Sequence, residues 1–213
     1  MGAGRLRGRH GSRTGQSAVT LIELLVSISI LAGLLAMALP AFSEWIRNNQ
    51  IRVAAESLRE GLQLARSEAV KRNARVRLQL VDKLDNSCAL SSSGPYWIVN
   101  VGASVTPAGA CATAVSATVS PFVVQASPVT AATTKVSIAS NQPVVTFDAA
   151  GRQAATVTPA TSIGKMTIAV TSPNGACAQS GGNMRCLNVL VSTAGQIRLC
   201  DPAQSGSTDP TRC

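Results

Sequence analysis

Histidine is nearly missing from this chain: its 213 residues contain one, His10, ahead of the first long apolar stretch. If the first 18 residues were removed, no imidazole would be left. That excludes a Ser-His-Asp triad, a Cys-His dyad and any His-ligated metal from the remainder. The six cysteines, Cys88, Cys111, Cys177, Cys186, Cys200 and Cys213, contain no Cys-x-x-Cys pair, so zinc and thioredoxin spacings are absent. No cofactor is implied. Aromatic residues make up only 3%, so any core must be built mainly from Val, Leu, Ile and Ala. Charged residues are only 14% and hydrophobic ones 46%, values that fit a soluble domain or a chain with one membrane span. The formal charge is +9; Arg5, Arg7, Arg9 and Arg13 precede the apolar stretch, and the chain beyond residue 18 keeps 15 basic against 10 acidic side chains. The even number of cysteines, all beyond the apolar stretch, reads as disulfides formed in an oxidising compartment such as the periplasm.

What is present is one apolar run, Val19 to Leu39, 21 residues interrupted by a single charge, Glu23. As a helix it measures about 32 Å, enough to cross a hydrocarbon core of roughly 30 Å. The arginines before it place the N-terminus in the cytoplasm and the rest of the chain outside it. A carboxylate in such a run costs at least ~2.5 kcal/mol at the bilayer centre, so Glu23 needs a partner or a function. Pro40 lacks an N–H and weakens a helix where the run ends. Ala36-Met37-Ala38 has the small-residue look of a secretory cleavage site, but a glutamate inside the apolar region is foreign to a signal peptide.

Beyond Pro40, Ile51, Ala54, Ala55, Leu58, Leu62, Ala65 and Ala69 recur at three- and four-residue steps, an amphipathic stripe between Arg, Lys and Glu. Residues 19 to about 73 are expected to form one helix of about 80 Å, its second half packing that stripe on a sheet. Residues 74–82 alternate, with Val76, Leu78 and Leu80 on one face and Arg77 and Gln79 on the other, the pattern of a half-buried strand. Further strands are expected at Trp97–Val101, Val119–Gln125, Lys135–Ala139, Val144–Phe147, Arg152–Val157, Lys165–Thr171, Leu187–Thr193 and Gln196–Cys200. Asp148-Ala149-Ala150-Gly151 and Ala194-Gly195 read as hairpin turns. No periodic helix is expected after residue 73, and the patternless residues 102–118 read as a long loop. The fold class is therefore α+β, a long N-terminal helix packed on antiparallel sheets.

Six cysteines allow 15 connectivities. Cys88–Cys111 would hold the long loop, and Cys177–Cys186 and Cys200–Cys213 are the local pairings. With Ala194-Gly195 as a two-residue turn, Cys200 faces Val189, which leaves Cys186 about 10 Å away, too far for a bridge. The same register puts Leu190, Ile197 and Leu199 on a core face and Gln196 and Arg198 on an exposed one.

Ala18-Val19-Thr20-Leu21-Ile22-Glu23-Leu24-Leu25 resembles the signal of type IV prepilins and pseudopilins. The resemblance implies that a prepilin peptidase cuts between Ala18 and Val19 and methylates Val19. It also implies that Glu23 and Pro40 serve assembly, Glu23 pairing with the N-terminal amine of a neighbouring subunit. The family prefers Gly before the cut and Phe after it, where this chain has Ala18 and Val19. Leu64-Ala65-Arg66-Ser67-Glu68-Ala69-Val70-Lys71-Arg72-Asn73 is similar to the helix end of the FimT/GspH family of minor pilins and minor pseudopilins. That family implies a prepilin leader (1–18), a transmembrane or filament-core helix (19–40) and a periplasmic globular domain (41–213). The last would comprise helix 41–73, β-sheets 74–200 and a disulfide-tied tail 201–213, all held at the bacterial inner membrane or within a pilus. The implied partners are the prepilin peptidase, other pilin or pseudopilin subunits and the inner membrane.

FimT proteins carry a C-terminal Gly-Arg-x-Arg motif implicated in binding DNA; the positions here are Gly195, Gln196, Ile197 and Arg198, so the first arginine is replaced by Gln196. Gln196 can hydrogen-bond a phosphate but releases no counterion. Arg152, Lys165 and Arg185 would supplement the patch if their strands adjoin. The resemblance thus leads to a non-enzymatic minor type IV pilin with double-stranded DNA as candidate ligand, the patch otherwise being a solvated hairpin tip. The alternative is a GspH-like minor pseudopilin of a type II secretion system. Glu23→Ala is expected to reduce filament incorporation severely while leaving the circular dichroism melt of the globular part unchanged; normal assembly by the mutant would defeat the pairing role.

Overall fold

The computed structural model describes residues 19–102, 105–157, 160–204 and 211–213. The chain divides into two units between Phe42 and Ser43. Helix α1 (Leu21–Arg72) is continuous in backbone through position 40. In the first unit Thr20 starts it: the Glu23 N–H donates to Thr20 Oγ1 at 3.3 Å and the Leu24 N–H to the Thr20 carbonyl at 3.2 Å. All side chains from Val19 to Leu39 are exposed. The hydroxyls of Ser27 and Ser29 donate to carbonyls four residues back, at 2.7 and 2.8 Å. Polar groups satisfied within the helix in this way are what a lipid environment requires. Among the described residues, α1 is the one helix long and apolar enough to cross a membrane.

In the second unit, α1 ends at Arg72 because Asn73 turns left-handed at φ 49°. The Asn73 N–H bonds the Val70 carbonyl and the Ala74 N–H the Ala69 carbonyl, a Schellman cap. The expected stripe faces inward: Ile51, Ala55, Leu62, Ala65 and Ala69 are fully buried, with Ala54 and Leu58 nearly so. Each buried leucine contributes about 1.5–3 kcal/mol over exposure.

The stripe packs on two four-stranded antiparallel sheets that share one core. Sheet A has β1 (Val76–Val81), β2 (Tyr96–Val101), β3 (Val123–Ala126) and β5 (Val144–Phe147), in the order β3-β2-β1-β5. Sheet B has β4 (Ser137–Ser140), β8 (Met166–Thr171), β9 (Leu187–Val191) and β10 (Ile197–Cys200), in the order β10-β9-β8-β4. A small hairpin pairs β6 (Thr156–Val157) with β7 (Ala160–Thr161).

Several expectations are corrected. Arg77 and Gln79 are not on a solvated face; both are fully buried. The patternless segment after β2 covers that side of sheet A. Gln79 Nε2 donates to Asn100 Oδ1 at 2.6 Å, and Asn100 Nδ2 to the carbonyls of Val105 and Pro121. Burial pushes the Arg77 guanidinium down to about 10. The strand expected from Val119 begins only at Val123, after Pro121, which has no N–H to give, and Phe122, at φ 56°. Of the strand expected at Arg152–Val157, Gln153 makes one bridge to Phe147, and only Thr156–Val157 is a strand. A short helix, α2 (Ala131–Thr134), follows residue 73 without any periodic stripe; Thr130 and Thr133 cap it reciprocally. Disulfides join Cys88–Cys111, Cys177–Cys186 and Cys200–Cys213. The first sits in a small second core with Val81, Ile98 and Val123, on the covered side of sheet A.

Glu68, 8% exposed near the end of α1, pairs with Arg72 and Lys71. The Arg72 hydrogen bond holds its carboxyl below the usual 4.5, against the opposing effect of burial. A depressed carboxylate pKa stabilises the fold above its unfolded value, and that stabilisation is lost as pH falls through the folded one. Glu68→Gln is therefore expected to lower Tm at pH 7 by about 2–4 °C. The difference should shrink as pH drops below 4.5, a trend that thermal melts at stepped pH would check.

Candidate functional site

The C-terminal hairpin departs from its expected register. Ile197 pairs with Val191, Leu199 with Val189 and Cys200 with Asn188. The loop is the three residues Thr193, Ala194 and Gly195, closed by the Ser192 N–H on the Gln196 carbonyl at 2.9 Å and the Gly195 N–H on the Ser192 carbonyl at 2.8 Å. Gly195 takes φ 79°, the left-handed position that ends such a loop. Cys200 thus faces Asn188 rather than Val189. Leu190 falls opposite Arg198, so it leaves the face of Ile197 and Leu199. Val189 and Val191 take its place there, both fully buried.

Three elements hold this hairpin tip. The turn at Asp148–Gly151 abuts it, with the Gln153 N–H donating to the Thr193 carbonyl at 3.1 Å. A Cβ on Gly195 would lie 1.9 Å from the Gly151 carbonyl oxygen, so only glycine allows the approach. Arg66 of α1 donates through Nε to the same oxygen at 3.0 Å. The basic helix end is therefore partly structural: Arg66 binds a turn, and Lys71 and Arg72 bind Glu68.

Lys165, Gln196, Arg198 and Cys213 line one open concavity of about 330 Å³ on the outer side of sheet B. Lys165, Gln196 and Arg198 are exposed, as is Arg152 beside Gly195. Among the described residues no ion pair neutralises Lys165, Arg198 or Arg152. Arg185, expected in the same patch, lies elsewhere. It pairs with Asp201 at 3.6 Å and lines a separate groove with Trp45, Arg52 and Leu199. It precedes β9, and the groove it lines presents Leu199, not Arg198. The sequence reading missed Arg212, whose carbonyl accepts from Arg198 Nη2 at 3.3 Å. Fourteen residues separate the two, and only a Cys200–Cys213 pairing could have signalled their proximity. No cluster of His, Cys, Asp or Glu able to hold a metal occurs among the described residues.

Of the anchor residues, Val19 is exposed and precedes α1, Glu23 is exposed in its first turn, and Pro40 lies within its backbone. Ala18 lies outside the described residues.

The sequence profile of the family described as Type II transport protein GspH matches residues 54–195. The chain belongs to this family. The GspH match runs from the buried stripe of α1 to Gly195, so Gln196, Arg198 and the tail lie beyond it. Two crystal structures of the type IV minor pilin FimU of Pseudomonas aeruginosa strain PAO1 are similar, at 23% and 22% identity, each with a TM-score of 0.47. They cover 75% and 73% of this chain and 94% and 97% of their own. No curated protein matches.

Gly195→Ala is expected to destabilise the fold by at least about 1–3 kcal/mol, from the left-handed backbone alone. Gly164→Ala, where a Cβ meets nothing within 4 Å, should be near neutral. Equal melts for the two variants would refute the close turn-to-turn contact.

Proposed function

We propose that this GspH-family chain is a minor type IV pilin, resembling FimT, that takes part in pilus assembly and contacts the phosphates of double-stranded DNA through the Lys165–Gln196–Arg198 concavity. In this reading a prepilin peptidase cuts between Ala18 and Val19 and methylates Val19. The apolar half of α1 lies in the inner membrane or among neighbouring pilin helices, with the globular unit periplasmic. Glu23 pairs with a neighbour's N-terminal amine, since two charges in an apolar filament core are tolerable only as a pair. The observation that carries the DNA reading is the grouping of Lys165 and Arg198, without acidic partners, around Gln196 beside a rigid turn. Arg152 flanks the group.

A second reading is a minor pseudopilin of a type II secretion system, with the concavity as a subunit contact. The uncharged Gln196 favours it, because phosphate binding draws its affinity from cations.

The test is a titration of the full chain, disulfides oxidised and in neutral detergent, with a short DNA duplex at several salt concentrations. Each phosphate contact adds about −0.9 to the log–log salt slope, and Arg198→Ala should remove about one such step. Absence of binding at low salt by folded protein would sink the DNA reading and leave the pseudopilin role.

A further inference from the structure

β10 is an edge strand of sheet B, and the described C-terminal residues 211–213 meet its end. The Asp201 N–H donates to the Thr211 carbonyl at 2.8 Å, and Asp201 bridges Arg212 in parallel. The Cys200–Cys213 disulfide, with Cα atoms 5.0 Å apart, fastens this contact. These residues therefore do more than meet the strand's end. Cys213 becomes part of the concavity wall, and the Arg212 carbonyl takes one N–H of the Arg198 guanidinium.

A guanidinium has five donors, so this bond leaves four, including Nε–H and the Nη1 pair, free for an anion. Arg198 is the exposed residue of edge strand β10. Tethering one end of its fork lowers the ordering cost of binding. Arg212 is itself exposed and in no ion pair among the described residues. Its backbone carbonyl meets the Arg198 guanidinium, and its neighbour Cys213 lines the concavity that also holds the uncharged Gln196.

We infer that the disulfide-fastened residues Arg212 and Cys213 are part of the phosphate-contacting surface: Arg212 supplies a cation where position 196 lacks one, and its carbonyl positions Arg198. This inference rests on the DNA reading of the concavity. It assigns the Cys200–Cys213 bridge a binding role in addition to a stabilising one.

The test uses the full chain in neutral detergent, a 20-base-pair duplex and a salt series. The variants are Arg198→Ala, Arg212→Ala and the double substitution Cys200→Ser/Cys213→Ser, each checked by circular dichroism and thermal melt. Arg212→Ala is expected to flatten the salt slope by about 0.9 and to weaken low-salt binding several-fold without changing the melt. In the double-serine background, Arg198→Ala should cost less than it does in the parent, because the two act through one contact. If the parent binds and Arg198→Ala weakens it, but neither Arg212→Ala nor the double-serine change alters affinity or slope, the tail inference is overturned and the concavity reading survives. If the parent does not bind, or Arg198→Ala has no effect, both fall. Arg212→Ala alters no buried group, so its result decides the matter even if the double-serine protein is unstable.

Discussion

The globular unit depends on one contact: the stripe of α1 from Ile51 to Ala69 laid against both sheets at once. Four of its seven residues are alanines, and Gly61 beside them lets the Trp97 ring come within 2.9 Å of where a Cβ would stand. Small side chains bring the helix backbone close to the strands, and the leucines fill the remaining depth. With 3% aromatics, close approach replaces bulk as the source of packing density. Because strands of sheets A and B contribute to one core, removal of this helix face would expose both sheets. Neither sheet has an apolar partner of comparable extent on that side.

The other side of sheet A is buried by different means. Arg77, Gln79, Asn100 and Thr146 present polar groups there, and the segment after β2 supplies carbonyls to meet the amides of Gln79 and Asn100. A polar interior of this kind contributes little net stability, but it ties a segment with no hydrophobic pattern to one place, since every unmet donor would be costly. The Cys88–Cys111 bridge works on the same segment through covalent geometry. Both sides of β1 are therefore buried, one by a helix and the other by a loop.

This difference accounts for what was legible in the sequence. The α1 stripe was legible residue by residue because its period and its burial coincide, and the strands lining the helix side followed from β-branched runs. The segment covering Arg77 was not, because burial by hydrogen bonds leaves no periodic trace. The hairpin register failed for another reason. Val189, Leu190 and Val191 are all apolar, so alternation says nothing about which of them faces inward. A two-residue and a three-residue loop both accommodate Ala194-Gly195, and a one-residue difference reverses the face of every side chain. Arg198 was nevertheless placed correctly on the exposed side, because the alternation Gln196, Ile197, Arg198, Leu199 is strict. Arg185 was misplaced because its position depends on Asp201 and on the groove beside α1, neither of which a strand pattern reveals.

The position of Arg198 is finally a property of the helix. Arg66 on α1 holds the Gly151 carbonyl; Gly151 meets Gly195, and the Gly195 turn sets the register that places Arg198 opposite Leu190. Each link is short and needs a specific residue: a guanidinium long enough to reach, and a glycine at each of two facing turns. The family match spans all of these links and stops at Gly195. Beyond it lie the exposed Gln196 and Arg198, alternating with Ile197 and Leu199, which pack on the core. A shared scaffold that ends before Gln196 and Arg198 is what would let related chains keep one fold while presenting different chemistry at the same tip. The frame up to Gly195 fixes where the tip stands, and Gln196 and Arg198 after it join Lys165 in setting the chemistry of the concavity.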